Sequence, residues 1–188
     1  MSDMPARRIL QLGDPVLRAV SVPVPAPREA EAIFQDLRDT LDDFRRVHGF
    51  GRGISAVQIG EPKRLIYIEL DGRAYHLRNP EYLWQSEEKF RLWDDCFSFP
   101  DLLVWLERAH AVRIRFENQA GGEEVLEASG PFSELLQHEM DHLDGILAVD
   151  RAIDRASFCT RHEWERRYAC GAVGSGTVTC VSTRIAES

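Results

Sequence analysis

Gln137-His138-Glu139-Met140-Asp141-His142, near the end of the chain, is a His-Glu-x-x-His run. On a helix, positions i and i+4 share one face, so His138 and His142 can present two imidazoles to one metal ion. Glu139 then lies close enough to take a proton from the ion's water. The flanks favour a helix. Pro131 suits its first turn, Ser129 or Gly130 its cap, and Leu135, Leu136, Met140 and Leu143 supply apolar contacts. Gly145 is a plausible stop. A solvated helix carrying two histidines by chance is the competing reading, and the apolar setting weighs against it. Two imidazoles leave a third ligand to be found elsewhere.

The 188 residues are enough for one domain with a full core. Apolar content of 44% and charged content of 29% are ordinary for a soluble globular protein. No window of about 18 apolar residues exists, so no membrane span is expected. Residues 1–8 lead into no signal-like apolar core. Four cysteines, unclustered and without disulfide-framework spacing, point to a reduced cytoplasmic setting. The net charge of −8, from 23 basic and 31 acidic residues, argues against a nucleic-acid binder. It leaves room for transient ribosome association through a local basic patch.

Upstream of the helix the chain reads in order. Residues 7–12 form a short strand or extended arm, and Gly13-Asp14-Pro15 a turn. The prolines at 23, 25 and 27 enforce an extended passage. From 29 to about 47, Ile33, Leu37, Leu41 and Phe44 recur at three- and four-residue steps, which predicts an amphipathic helix. Gly49-Phe50-Gly51-Arg52-Gly53 then lets the backbone lie against another chain or a ligand. It lacks the Lys-Ser/Thr ending of a phosphate loop. Gln58 is either a satisfied buried amide or a donor to a developing oxyanion. Strands are expected over 64–70 and 74–77, joined at Asp71-Gly72, with Asn79-Pro80 breaking the pattern. Further strands fall near 89–93 and over 102–106, 110–116 and 123–127. A last helix is expected over 154–168, and the small residues past Cys170 read as a tail. The result is one α+β domain over 1–170, antiparallel sheets packed around a central metal-binding helix, with a flexible tail over 171–188.

The third ligand has two candidates on residue chemistry alone. A thermolysin-like zinc enzyme takes a Glu from a downstream helix, and Glu163 or Glu165 has that spacing. Cys96, in a strand-end segment, is the rival, although a lone Cys is most often an inert buried residue. Spacing does not decide between them.

Three stretches together resemble peptide deformylase. The family's Gly-x-Gly-x-Ala-Ala-x-Gln is matched by Gly51-Arg52-Gly53-Ile54-Ser55-Ala56-Val57-Gln58, and its Glu-Gly-Cys-Leu-Ser by Asp94-Asp95-Cys96-Phe97-Ser98. Its Gln-His-Glu-x-Asp-His-Leu-x-Gly is matched by Gln137 through Gly145 at every specified position. The resemblance spans about residues 7–168. It implies one divalent metal ion on Cys96, His138 and His142, with Fe(II) expected and Zn(II) or Ni(II) able to substitute. It implies hydrolysis of the N-terminal formyl group of formylmethionyl peptides. Hydroxide from the metal's water attacks, with Glu139 as general base. Gln58 and the Phe97 backbone N–H hold the oxyanion. Gly51 and Gly53 would let an extended peptide align beside the strand. Trp93 is a further candidate for the substrate pocket.

The sequence departs from the family pattern at four positions: Ser55 for Ala, Asp94 for Glu, Phe97 for Leu and Asp95 for Gly. The last is the most consequential, since it adds bulk and a negative charge where the family faces its substrate. The metal chemistry reads as intact and substrate recognition as altered. The alternatives are a sibling hydrolase of another formyl amide, a weakly active metal-binding homologue, and a thermolysin-like peptidase. His48, His76, His110 and His162 read as surface or packing groups, Cys159, Cys170 and Cys180 as free thiols, and Arg108 as a structural ion-pair partner.

Overall fold

The apolar steps between residues 29 and 47 build α1 (Pro27–His48), whose inward face carries Phe34, Leu37, Leu41 and Phe44. Pro27 occupies its first turn, and Gly49, in the left-handed region, ends it by donating to the Arg45 carbonyl. The computed structural model describes residues 6–168. The tail over 171–188, Cys170 and Cys180 lie outside the described residues.

Eight strands follow: β1 (Gly53–Ser55), β2 (Leu65–Leu70), β3 (Arg73–Gln85), β4 (Lys89–Asp95), β5 (Leu102–Ala109), β6 (Ala111–Glu117), β7 (Glu123–Ser129) and β8 (Phe158–Thr160). They form a five-stranded sheet in the order β1-β2-β3-β6-β7 and a three-stranded sheet in the order β4-β5-β8. Every pairing within them is antiparallel. The remaining helices are α2 (Pro131–Leu143) and α3 (Arg161–Arg167).

The run Leu65-Ile66-Tyr67-Ile68 has no polar face, because β2 is covered on both sides. Leu65 and Tyr67 pack into the core beneath α1. Ile66 and Ile68 point the other way, into a second core with Leu135, Leu136, Met140 and Leu143 of α2. Each such aliphatic side chain removed from water contributes about 1.5–3 kcal/mol. A third cluster joins Leu17 and Leu147 to Val104 and Leu106 of β5, and includes Cys96. α2 therefore runs through the interior, and every residue from Ser133 to Leu143 is buried. It packs against β1, β2, β5 and β7, so it touches both sheets.

α2 begins at Gly130 without a side-chain cap. Ser133 instead donates to the Ala109 carbonyl at 2.9 Å. Gln137 grips the same residue from both sides, donating to the Ala109 carbonyl at 2.8 Å and accepting the Ala109 N–H at 3.0 Å. These bonds fix the helix against the end of β5, and with it the direction of His138.

The structure differs from expectation in two places. β3 does not stop at Asn79-Pro80 but runs through it to Gln85, with an irregular register between Arg78 and Glu81. Asn79 takes φ 52°, and its side chain bonds both the N–H and the carbonyl of Val24. The proline is thus accommodated at a bulge. The last helix starts at Arg161 rather than 154, because Thr160 accepts the Glu163 N–H and caps it there. The residues before it form β8 on the edge of β5. Of the two forms expected for residues 7–12, the structure has the extended arm, held through Leu10 N–H to the Gln58 carbonyl and Leu12 N–H to the Ser98 carbonyl.

Candidate metal centre and active site

α2 presents His138 and His142 one turn apart, and the chain leaving β4 brings Cys96 to them. Cys96 Sγ lies 3.3 Å from His142 Nε2, and the two Nε2 atoms lie 3.2 Å apart. All three donor atoms fall within 4.8 Å of one another and all three residues are buried. A tetrahedral cation with nitrogen at about 2.0–2.1 Å and sulfur at about 2.3 Å requires donor separations of roughly 3.3–3.6 Å. The donors thus match the edges of one face of such a tetrahedron, which leaves its fourth corner to a non-protein ligand. Of the rival candidate ligands, Glu163 pairs instead with Arg166 and Arg167 on the surface of α3, and Glu165 is exposed on the same helix.

The candidate ligands are oriented from behind. Asp94, the last inward residue of β4, accepts from His138 Nδ1 at 2.9 Å, so His138 turns Nε2 toward the cluster. The other Asp94 oxygen takes Arg108 at 2.8 Å, and Arg108 continues to Asp141 of α2 at 2.6 Å. Burial opposes the Asp94 charge, but His138 and Arg108 more than compensate and hold its carboxyl well below the usual range. Arg108, expected only as an ion-pair partner, is the buried link between β4 and α2. His142 is driven far below the usual histidine range, first by burial and then by His138, which keeps its ring neutral. A neutral imidazole is the form that binds a metal.

Glu139 is buried beside these ligands, and Ser55 Oγ donates to its Oε2 at 2.5 Å. Burial raises its carboxyl to about 6, with His138 and the Ser55 hydroxyl restraining the rise. Gly53 leaves room for it: a β-carbon there would stand 3.1 Å from Glu139 Oε1 and 3.2 Å from Leu135. At Gly51 a β-carbon would sit 2.7 Å from the Phe97 ring, on a backbone with φ +135°. Both glycines are thus required by the chain's own close packing.

Gln58 is fully buried on the 3-10 turn after β1. Its Oε1 accepts the Ser55 N–H at 2.9 Å, which fixes the amide so that Nε2 points at Cys96 Sγ, 3.6 Å away, and at Ser98 Oγ, 3.3 Å away. Phe97 stacks on Phe44 of α1 with ring centroids 3.8 Å apart, and its amide N–H has no acceptor among the described residues. Asp95 turns to the opposite side of β4 from Asp94 and pairs with Arg161 of α3. Arg161 also donates to the Pro100 carbonyl at 2.6 Å and lies 4.2 Å over the Phe50 ring. Trp93 shares that side of β4, packed against Trp105 and Tyr168.

Two site residues escaped the sequence reading. Glu134 stands one helical turn before His138 and is buried, its carboxylate within 4.8 Å of the nearest His138 nitrogen and Asp94 oxygen. Arg52 donates to it at 2.7 Å. The i−4 spacing from His138 was the available signal for Glu134, and nothing local marked Arg52.

The centre lies where two sheets each present an edge strand, β1 on one and β4 on the other, with α2 between them. Known proteins share this arrangement and its sequence. The polypeptide deformylase family matches residues 6–157. The peptide deformylase of Bartonella tribocorum is 37% identical over 154 residues, covering 78% of this chain and 84% of that one. Peptide deformylase 2 of Clostridium perfringens is 38% identical over 151 residues, covering 79% and 94%. Among solved structures, the Thermotoga maritima peptide deformylase superposes with a TM-score of 0.74 at 29% identity, covering 80% of this chain and all of that one. The Synechococcus elongatus enzyme in complex with actinonin gives 0.76 at 30% identity, covering 82% of each chain. By sequence, by fold and by the match along most of its length, this chain belongs to the polypeptide deformylase family.

Proposed function

We propose that the protein is a metal-dependent deformylase that hydrolyses the N-formyl amide at the amino terminus of a peptide, releasing formate and a free amine. Formylmethionyl peptides are the reference substrates. The single observation that carries this reading is the convergence of Cys96 Sγ, His138 Nε2 and His142 Nε2 beside a buried carboxylate at Glu139. A divalent cation held by Cys96, His138 and His142 would supply Lewis acidity there, lowering the pKa of a water and polarising the formyl oxygen. Fe(II) is the expected ion, with Zn(II) or Ni(II) accepted by the same sulfur–nitrogen set.

The chain's own residues supply the rest. Glu139 takes the proton from the attacking water and returns it to the departing amine nitrogen. Gln58 Nε2, aimed at the cluster by its bond from Ser55 N–H, donates to the oxyanion as it develops, together with the Phe97 N–H. The edge of β1 offers main-chain groups to an extended peptide. The setting is the cytoplasm, with the substrate presented on nascent chains by transient ribosome association. None of the described helices is long and apolar enough to cross a membrane.

The test is formate release from formyl-Met-Ala-Ser and other formylated peptides, using anaerobically purified protein of measured metal content. Activity should track the metal, and Glu139→Ala should keep the metal while losing about 10²–10⁴ in rate. A fully metallated protein that releases no formate from any of these peptides would refute the reading.

A further inference from the structure

Along the buried stripe of α2 that carries His138 and His142, the position one turn earlier is an acid. The Glu134 side chain is 6% exposed, and its carboxylate reaches within 4.8 Å of the nearest His138 nitrogen and Asp94 oxygen. A buried carboxylate is costly to keep charged unless it is paired or hydrogen-bonded. Its partner here is Arg52 of the glycine-flanked stretch before β1, bonded at 2.7 Å and itself 40% exposed. The two halves of this pair are unequal. Glu134 is fixed by the most deeply buried helix of the fold. Arg52 extends from between Gly51 and Gly53, and among the described residues its guanidinium's one other hydrogen bond is to the Pro131 carbonyl at 3.2 Å. The wall beside the candidate ligands is therefore ionic, and a substrate side chain that displaced Arg52 without carrying a positive charge would leave Glu134 without a partner.

Resting on the deformylase reading, we propose that Glu134 sets substrate selectivity, accepting a basic side chain on the residue that bears the formyl group. The substrate's ammonium or guanidinium takes the place of the Arg52 guanidinium, which moves out to the solvent it already partly faces. An apolar side chain offers nothing in exchange for the broken ion pair. An anionic one meets Glu134 with like charge. The class of substrate is thus a formylated peptide whose first residue is lysine- or arginine-like.

The test compares formyl-Lys-Ala-Ser, formyl-Met-Ala-Ser and formyl-Glu-Ala-Ser as substrates of the metallated enzyme. Binding of the three free-amine products is measured by calorimetry as a readout independent of turnover. The lysyl peptide should exceed the methionyl one at least tenfold in kcat/KM, and its product should bind at least tenfold tighter. Glu134→Leu should reverse the order. Glu134→Gln keeps the side-chain volume should the leucine variant fail to fold, and it should abolish the lysyl advantage. Arg52→Ala should lower KM for the lysyl peptide, because the competing guanidinium is gone. Equal or better use of the methionyl peptide by the unsubstituted enzyme would overturn the proposal. So would preference for the glutamyl peptide, which would give the reading role to Arg52. No formate from any peptide, with the lysyl preference in binding intact, would sink the deformylase reading and keep the selectivity.

Discussion

The hydroxyl of Ser55, on the last residue of β1, donates to the Glu139 carboxylate across the gap between the five-stranded sheet and α2. The family pattern has an alanine here, a side chain that could not make this bond. The bond fixes Oε2 and leaves Oε1 facing the backbone of Gly53. Ser55→Ala should therefore cost orientation rather than chemistry. A hydrogen bond to a charged group is worth about 1.5–3 kcal/mol, which sets a ceiling of roughly a hundredfold, and the alanine of the family sets a lower one. The expected result is a fall in kcat of about three- to tenfold with KM unchanged, read by steady-state formate release. A KM change with kcat constant would mean that Ser55 contacts the substrate instead.

The donor triangle predicts which substitutions remove the metal. Cys96→Ser replaces a soft thiolate with a weakly ligating hydroxyl, and the bound ion should fall well below one equivalent by elemental analysis. Glu163→Gln should leave metal content unchanged, because Glu163 is occupied with Arg166 and Arg167. A Cys96→Ser protein that retains its ion would dismantle the proposed ligand set.

Much of this was legible in the sequence because periodicity and spacing report local geometry. The i, i+4 histidines of α2, the apolar steps of α1 and the run of β2 each follow from one element seen alone. The choice between Cys96 and Glu163 was not legible that way, since it depends on how the end of β4 meets α2 in space, and resemblance had to supply it. Asn79-Pro80 misled because a bulge spares the ladder the bond that proline cannot make, which no local rule reveals. The pairing of Asp95 with Arg161 joins residues from two elements of the small sheet and its trailing helix, so the carboxylate's direction was unreadable before the fold. Arg52 and Glu134 meet for the same non-local reason.

Stability should also carry a pH signature at His76. Its ring lies against Phe34 and Tyr67, with centroids 5.1 and 5.0 Å away. Burial and then the nearby Arg38 charge lower its pKa below 6.5. The unfolded chain therefore binds a proton more readily at this residue than the folded one. The contribution is present above the unfolded value, near 6.5, and is lost as pH falls through it. The ring is only half-buried, so solvent screening keeps the effect small. His76→Phe should show a smaller loss of Tm between pH 7.5 and 5 than the unsubstituted protein. An identical loss in both would assign the acid sensitivity elsewhere.

Asp94 ties together more of the site than any ligand does, since one oxygen orients His138 and the other neutralises Arg108. Asp94→Ala breaks both. Arg108 would keep Asp141 as its remaining partner in the interior, and losing one member of a buried ionic network costs about 3–5 kcal/mol. For a domain of this size that lowers Tm by roughly 6–20 °C. Loss of the carboxylate behind His138 also frees the ring to rotate, and such losses reduce metal affinity by about 10–100-fold. Asp94→Glu restores the family residue and lengthens the reach by one methylene in a site with 1% exposure. It should therefore recover metal affinity more fully than stability. Competition against a chelator and thermal melts of the same two proteins separate these effects. If Asp94→Ala bound its ion as tightly as the parent, the orienting role assigned to this carboxylate would be wrong, whatever the melts showed.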